Sequence, residues 1–256
     1  MIALFCFGLA LHVLNILLPT LLRDSRRLNF ASNLINVGAL VCGLSFSLHA
    51  LLGYRRMEYR FELPATGPVV IGFDGLSLFF LFTFQLLSLA ASLYAIGYLR
   101  HYIEERGLSV RGHLSFFTLL ILSLQLLAVL HNALAFLVVW EWMALGAYFS
   151  IVFDRDQEEV RRGGFWYLVS MHAGVLLLYV CFLTLHEATG SWSFDDFARH
   201  PDYDPKVLGL ALLTGFAGFG IKAGFMPFHV WLPNAHPAAP AHVSGLLSAI
   251  NIKTGI

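Results

Sequence analysis

Seven stretches of about 20 predominantly apolar residues follow one another along this chain, the length an α-helix needs to cross the hydrocarbon core of a bilayer. They run Ile2 to Leu22, Leu28 to Leu52, Leu76 to Leu99, Leu114 to Leu130, Ala133 to Phe153, Phe165 to Leu185 and Val207 to Met226. An eighth begins near Val243 and reaches only Ile256, about 14 residues and too short to span, so the chain is expected to stop inside a helix. Of the 256 residues 58% are hydrophobic and 12% charged, against roughly a quarter charged in a soluble domain. No aqueous core could hold that many apolar side chains. The expected fold is all-α and integral to a membrane, with seven transmembrane helices, a truncated eighth, and a seventh broken at Pro227.

The first stretch lacks a preceding basic residue and a following small-residue cleavage site before Arg23-Asp24-Ser25-Arg26-Arg27, so it reads as mature structure rather than a signal peptide. Three regions are expected: a helical hairpin with a surface connection over 1–73, a third helix and inside loop over 74–113, and a helical unit over 114–256 that is incomplete at its last helix. Gly53 to Gly72 reads as a connection on the membrane surface, and the acidic stretch Thr189 to Pro205 as an exposed loop or surface helix. His131 and Asn132 alone join the fourth and fifth spans, which makes those two a tight antiparallel pair. Short cytoplasmic loops carry the excess of Lys and Arg. Connections after spans one, three and five hold nine basic residues, from Arg23 to Arg162, against five in the opposite set (Arg55, Arg56, Arg60, Arg199 and Lys206). This places the N-terminus of the multi-pass protein on the outside.

Several partners and cofactors are excluded at this stage. Cys6, Cys42 and Cys181 lie in apolar runs without paired spacing and read as small buried hydrophobes. No metal-ligand spacing and no glycine-rich phosphate loop appear, so neither a metal nor another cofactor is expected. With a formal net charge of zero and no basic stretch interleaved with aromatics, nucleic acid is not an implied partner, whereas the lipid bilayer is.

Chemistry is expected where charge meets lipid. All 13 arginines lie in connections or at span ends, but two of the three lysines, Lys222 and Lys253, lie inside apolar runs. Arginine keeps its proton under protein conditions and a buried lysine can release one, so lysine is the basic residue suited to carry protons. A charge at the centre of a spanning helix costs about 2.5–3.5 kcal/mol on insertion scales, so such residues face the bundle interior and function there. Glu141, in Trp140-Glu141-Trp142 near the middle of the fifth span, joins the two lysines as a candidate for proton transfer. The plain alternatives are a neutral buried acid for Glu141 and a lysine snorkelling to the interface for Lys222.

Gly215 and Gly218 share the face of Lys222 and permit close helix approach, while Pro227 should break the helix just beyond and free carbonyls that need polar partners. His242 stands 11 residues before Lys253, three helical turns, so the two project from nearly one face and could form a relay. In the other reading His242 caps the helix start and only Lys253 is buried. His172 and His229 are further possible relay groups, because imidazole titrates near neutral pH. His172 could equally bond a helix neighbour. His12 and His49 read as interfacial, His236 as a loop residue, and Asp74 as the cap of the third span.

The stretch Gly218-Phe219-Gly220-Ile221-Lys222-Ala223-Gly224-Phe225-Met226-Pro227-Phe228-His229-Val230-Trp231-Leu232-Pro233-Asn234-Ala235-His236-Pro237 resembles the antiporter-like subunits of respiratory complex I, multisubunit sodium/proton antiporters and membrane-bound hydrogenases. Phe73-Asp74-Gly75-Leu76-Ser77, Trp140-Glu141, Val243-Ser244-Gly245-Leu246-Leu247 and Lys253-Thr254-Gly255-Ile256 extend the resemblance from about residue 70 to the end. The wording around His236-Pro237-Ala238-Ala239-Pro240 looks most like the hydrogenase-4 component B and formate hydrogenlyase branch. The resemblance implies two inverted repeats in a full-length subunit, of which this chain holds the first. It implies that Glu141 pairs with Lys222, whose charge state drives protons through Lys253 on the broken eighth span. It also implies a subunit that moves protons without a catalytic centre of its own, among other membrane and peripheral subunits of a hydrogenase or NADH-quinone oxidoreductase type of complex. A sodium/proton antiporter subunit, a quinone-binding subunit and a structural membrane anchor are the alternatives.

Overall fold

The computed structural model describes residues 1–53, 56–63 and 67–256. Arg55, one of the basic residues assigned to the outside, lies outside the described residues. Ten α-helices are present among them: α1 (Ile2–Leu21), α2 (Ser25–Leu52), α3 (Gly75–Arg106), α4 (Arg111–Leu127), α5 (Ala133–Ile151), α6 (Glu158–Thr189), α7 (Phe194–Arg199), α8 (Pro205–Ala223), α9 (Leu232–Ala238) and α10 (Ala241–Leu246). Six helices are long and apolar enough to cross a membrane by length and composition: α1, α2, α3, α5 with its extension to Asp154, α6, and α8 with its broken continuation to Ala238. The remaining expected span corresponds to α4, apolar but only 17 residues long.

Helix starts are written locally. Asp24, Asp74, Asn132 and Asp204 each precede a helix, and each side chain accepts a hydrogen bond from a first-turn backbone N–H at 2.7–2.9 Å. These carboxylate and amide oxygens satisfy donors that the helix itself leaves free. At the other end, α1 leaves the carbonyl of Pro19 unpaired, and the Arg111 guanidinium donates to it from the start of α4 at 2.6 and 2.8 Å.

The structure corrects the all-α expectation between the second and third helices. Strands β1 (Met57–Leu63) and β2 (Gly67–Phe73) pair antiparallel, with Met57 opposite Phe73 and Tyr59 opposite Ile71. β2 is fastened to the α4–α5 turn, where the Gly72 N–H donates to the Val129 carbonyl at 2.8 Å and the His131 N–H to the Val70 carbonyl at 2.9 Å. A Cβ on Gly72 would fall 2.6 Å from the His131 ring, so only glycine allows that approach.

The bundle is apolar outside and polar within. Leu14, Leu17, Leu176, Leu212 and Phe216 are exposed on the outer faces. Fully buried are His12, Asn15, Asn36 and Thr118, joined by His12 Nδ1 to Asn36 Oδ1 at 3.0 Å, Asn15 Nδ2 to Asn36 Oδ1 at 2.9 Å and Asn36 Nδ2 to Thr118 Oγ1 at 3.1 Å. His12 is therefore not interfacial; it lies in the middle of α1 and faces α2. Ser47 donates to Gln85, and Gln85 to Gln125, in a second buried link across α2, α3 and α4. His49, by contrast, is exposed in the last turn of α2. Of the cysteines only Cys181 is buried, whereas Cys6 points outward and is exposed.

Helices α6 and α8 meet through glycine. A Cβ on Gly218 would lie 2.9 Å from the Gly174 carbonyl oxygen and 2.8 Å from the Leu178 side chain. The absent side chains bring the two backbones together, which sets α6 residues directly against Lys222.

Candidate functional site

Lys222 sits in the last turn of α8, 1% exposed. The helix stops one residue later, with Gly224 at φ 70°, a conformation that favours glycine. The chain then turns through Pro227 into a 3-10 segment (Phe228–Trp231) and α9. The break frees carbonyls, as expected from Pro227, and a buried side chain meets one of them: the Trp231 indole N–H donates to the Ile221 carbonyl at 2.8 Å.

The ammonium of Lys222 has neutral neighbours. Its Nζ donates to the Tyr167 hydroxyl at 3.2 Å and approaches Met171 Sδ at 3.4 Å, and it lies 5.7 Å and 5.5 Å from the ring centroids of Trp140 and Tyr167. Tyr167 comes from α6 and is fully buried. Its hydroxyl also accepts from Asn251 Nδ2 at 3.2 Å, and its ring meets Trp231 edge-on at 5.4 Å. Three helical segments thus converge on one hydroxyl. Donors and acceptors fixed in an interior of low dielectric interact more strongly than they would in water.

Glu141 lies on α5 with a quarter of its side chain exposed, and its Oε2 stands 3.8 Å from Nε2 of His172 on α6, a contact that is ionic when the imidazole is protonated. No ion pair within 4.0 Å joins Glu141 to Lys222 among the described residues. Trp140 is buried against the lysine, while Trp142 turns outward. His172 is exposed and its Nδ1 meets the Leu168 carbonyl at 2.9 Å, so it both bonds its own helix and faces Glu141.

Lys253 departs most from expectation. It is exposed, its Nζ donating to the Ser248 carbonyl at 2.7 Å, and it borders a cavity of about 470 Å³ with Leu76, Phe80, Phe136 and Thr254. His242, by contrast, is buried, and its Nε2 stands 2.8 Å from Nε2 of His113. Both readings of this segment are corrected: the two side chains do not share a face, and it is the histidine that is buried. The physical reason is a π turn over Leu247–Asn251 followed by a 3-10 turn over Lys253–Gly255, which together abolish the regular 3.6-residue register. His229 is half-buried in the 3-10 segment after the break, with an unpartnered buried Nδ1. His236 belongs to α9 rather than to a loop, and its Nδ1 faces Ser244 Oγ at 3.3 Å.

Tyr167, Asn251 and His113 were missed in the sequence. Asn251 carried a readable signal, a lone amide in an apolar run two residues before Lys253. Tyr167 and His113 stand near run starts, where polar residues are ordinary, and nothing local marks them.

Comparison with known proteins bears on this arrangement. The family described as NADH:quinone oxidoreductase/Mrp antiporter, transmembrane, matches residues 131–256, which include the whole lysine site. Hydrogenase-4 component B of Escherichia coli is 37% identical over 198 residues, 77% of this chain and 29% of the relative. A chain in the structure of the Mrp complex from Dietzia sp. DQ12-45-1b superposes with a TM-score of 0.82 at 20% identity, covering 98% of this chain and 27% of that one. A chain of the membrane-bound sulfane sulfur reductase, an archaeal respiratory membrane complex, does so with a TM-score of 0.81 at 19% identity, covering 97% and 38%. The chain therefore spans less than two fifths of the length of each of these three proteins. The structural likeness reaches beyond the matched family region into the N-terminal helices, so their fold is shared as well. A long lysine-bearing stretch broken at proline, a bundle with its polar groups inside, and this set of relatives converge: residues 131–256 carry the transmembrane domain of the NADH:quinone oxidoreductase/Mrp antiporter family.

Proposed function

We propose that this chain is part of a proton-translocating subunit of a multisubunit redox-driven complex, of the hydrogenase or NADH-quinone oxidoreductase type. The observation that carries the reading is Lys222, fully buried yet held only by a phenol, a thioether and two aromatic faces. With no carboxylate in contact, its proton can leave without breaking an ion pair. Glu141 with His172 supplies the charge that biases Lys222 from one side, and His229, His242 and Lys253 carry protons to or from it. On this reading α4 crosses the membrane as the fourth of seven spans, residues 114–256 form the first of two inverted repeats, and 1–73 and 74–113 are its N-terminal adjuncts. The N-terminus lies outside the inner membrane, and lipid and other subunits surround the bundle.

The likeness to the Mrp complex structure favours one second reading, a subunit of a sodium/proton antiporter. Lys222→Met tests the first. In the intact complex reconstituted into vesicles, proton uptake should fall by about 10²-fold, the scale of a lost proton-transfer group. Normal pumping in an assembled Lys222→Met complex would remove the lysine from the path. Sodium-driven proton exchange in the unsubstituted complex, without a redox substrate, would select the antiporter.

A further inference from the structure

We infer that His113 and His242 form the uptake end of the proton path, drawing protons from a cavity at one end of the bundle and passing them inward along α10 toward Lys222. This rests on the proton-transfer reading of Lys222 above. It adds a residue, His113, and an entrance.

The cavity measures about 930 Å³ and lies where the α3–α4 and α5–α6 connections meet. Asp154, Arg155, Asp156, Arg161 and Ser109 line it, with His113 among the same residues. The other walls are apolar, Phe116, Phe149, Val152 and Phe165 among them, so waters, each needing roughly 30 Å³ and two to four polar partners, would gather at the charged side. Asp154 is itself held by Arg106 and Gln157, which fixes the polar wall.

His113 is only 4% exposed and His242 only 2%, and the two rings are in hydrogen-bond contact through their Nε2 atoms. One of those nitrogens must carry the proton and the other accept it. Among the described residues the Nδ1 of each ring is buried and has no hydrogen-bond partner. Aromatic walls isolate the pair: Phe153 lies 4.5 Å from the His113 ring, and Phe117 and Tyr98 lie 4.9 and 5.6 Å from His242.

The transfer balances simply. Once a water enters beside that buried nitrogen, a hydronium ion of the cavity gives a proton to His113 Nδ1 and is left as water; the His113 Nε2 proton crosses to His242 Nε2; His242 gives its Nδ1 proton to a water on its inner side, which becomes the hydronium ion that moves on. No electron moves and no covalent bond other than N–H or O–H changes. Each ring ends protonated on its other nitrogen, so each returns to its starting tautomer, by proton exchange through water, before the next transfer. His242 begins the segment whose ninth following residue, Asn251, bonds Tyr167 beside Lys222.

The test uses the intact complex in vesicles. His113→Ala should assemble and pump about 10²-fold more slowly, and imidazole added on the cavity side should restore pumping, because a small base can occupy the vacated space. His242→Gln should be equally slow. Unimpaired pumping by assembled His113→Ala, or a loss that imidazole does not relieve, overturns the inference. Should His113→Ala not assemble, Ser109→Cys at the cavity wall decides: a bulky thiol reagent must block pumping, and full labelling with normal pumping overturns it. Lys222→Met run in parallel separates the two ideas. If Lys222→Met pumps normally, the underlying reading fails; if it is inactive while both histidine variants pump normally, only the entrance is wrong.

Discussion

Tyr167 has a hydroxyl that accepts from Lys222 and from Asn251 at the same distance, 3.2 Å, and this makes it the joint of the site. Tyr167→Phe removes one oxygen, takes the partner from the buried Asn251 amide at about 1–3 kcal/mol, and leaves Lys222 Nζ with the Met171 sulfur and the aromatic faces. The variant complex should therefore melt at lower temperature in a thermal unfolding assay and transfer protons more slowly, whereas Tyr179→Phe, on the outer face of the same helix, should change neither. Glu141 and Lys222 were legible because a charge inside an apolar run has no innocent explanation in lipid. Tyr167 was not, since a tyrosine is equally at home in a core, at an interface or in a site. Lys253 was legible as an anomaly but not in its direction, because a π turn cannot be read from spacing that assumes a regular helix.

Two contacts between elements depend on what the side chains leave out or put in. Gly218→Ala inserts a methyl 2.9 Å from the Gly174 carbonyl oxygen and should push α8 from α6, at about 1–3 kcal/mol. Gly209→Ala, on the same helix with open space around it, should be neutral or slightly stabilising. Thermal melts of the two variants check both directions. In the N-terminal helices, Asn36→Leu strips His12, Asn15 and Thr118 of their shared partner. It should lower the yield of assembled complex more than Asn234→Leu, whose exposed amide bonds the Val230 carbonyl one turn back. Helix positions were readable from apolar length, and the start of α3 from Asp74. The β-hairpin was hidden by Pro68 and by charged Arg60 and Glu62, which suit a surface connection as well as an edge strand.

At the scale of the molecule, the outward leucines and phenylalanines and the inward amides and hydroxyls describe a bundle whose solvent is lipid. The number of apolar runs announced this class of fold, and the arginine count proposed its direction across the membrane. A pair of single-cysteine complexes tests that direction. In intact cells an impermeant maleimide should label Asp202→Cys, between α7 and α8, and spare Asp156→Cys, between α5 and α6, both positions being exposed in the structure. The opposite pattern would invert the protein. The hydrogen bond from the Trp231 indole to the Ile221 carbonyl carries a mechanical consequence. It ties the chain beyond the break to the peptide just before Lys222, like a tendon across a joint. A partner subunit pressing on the segment 228–238 would then tug the lysine-bearing turn without touching the lysine, so force applied at the rim becomes displacement at the centre.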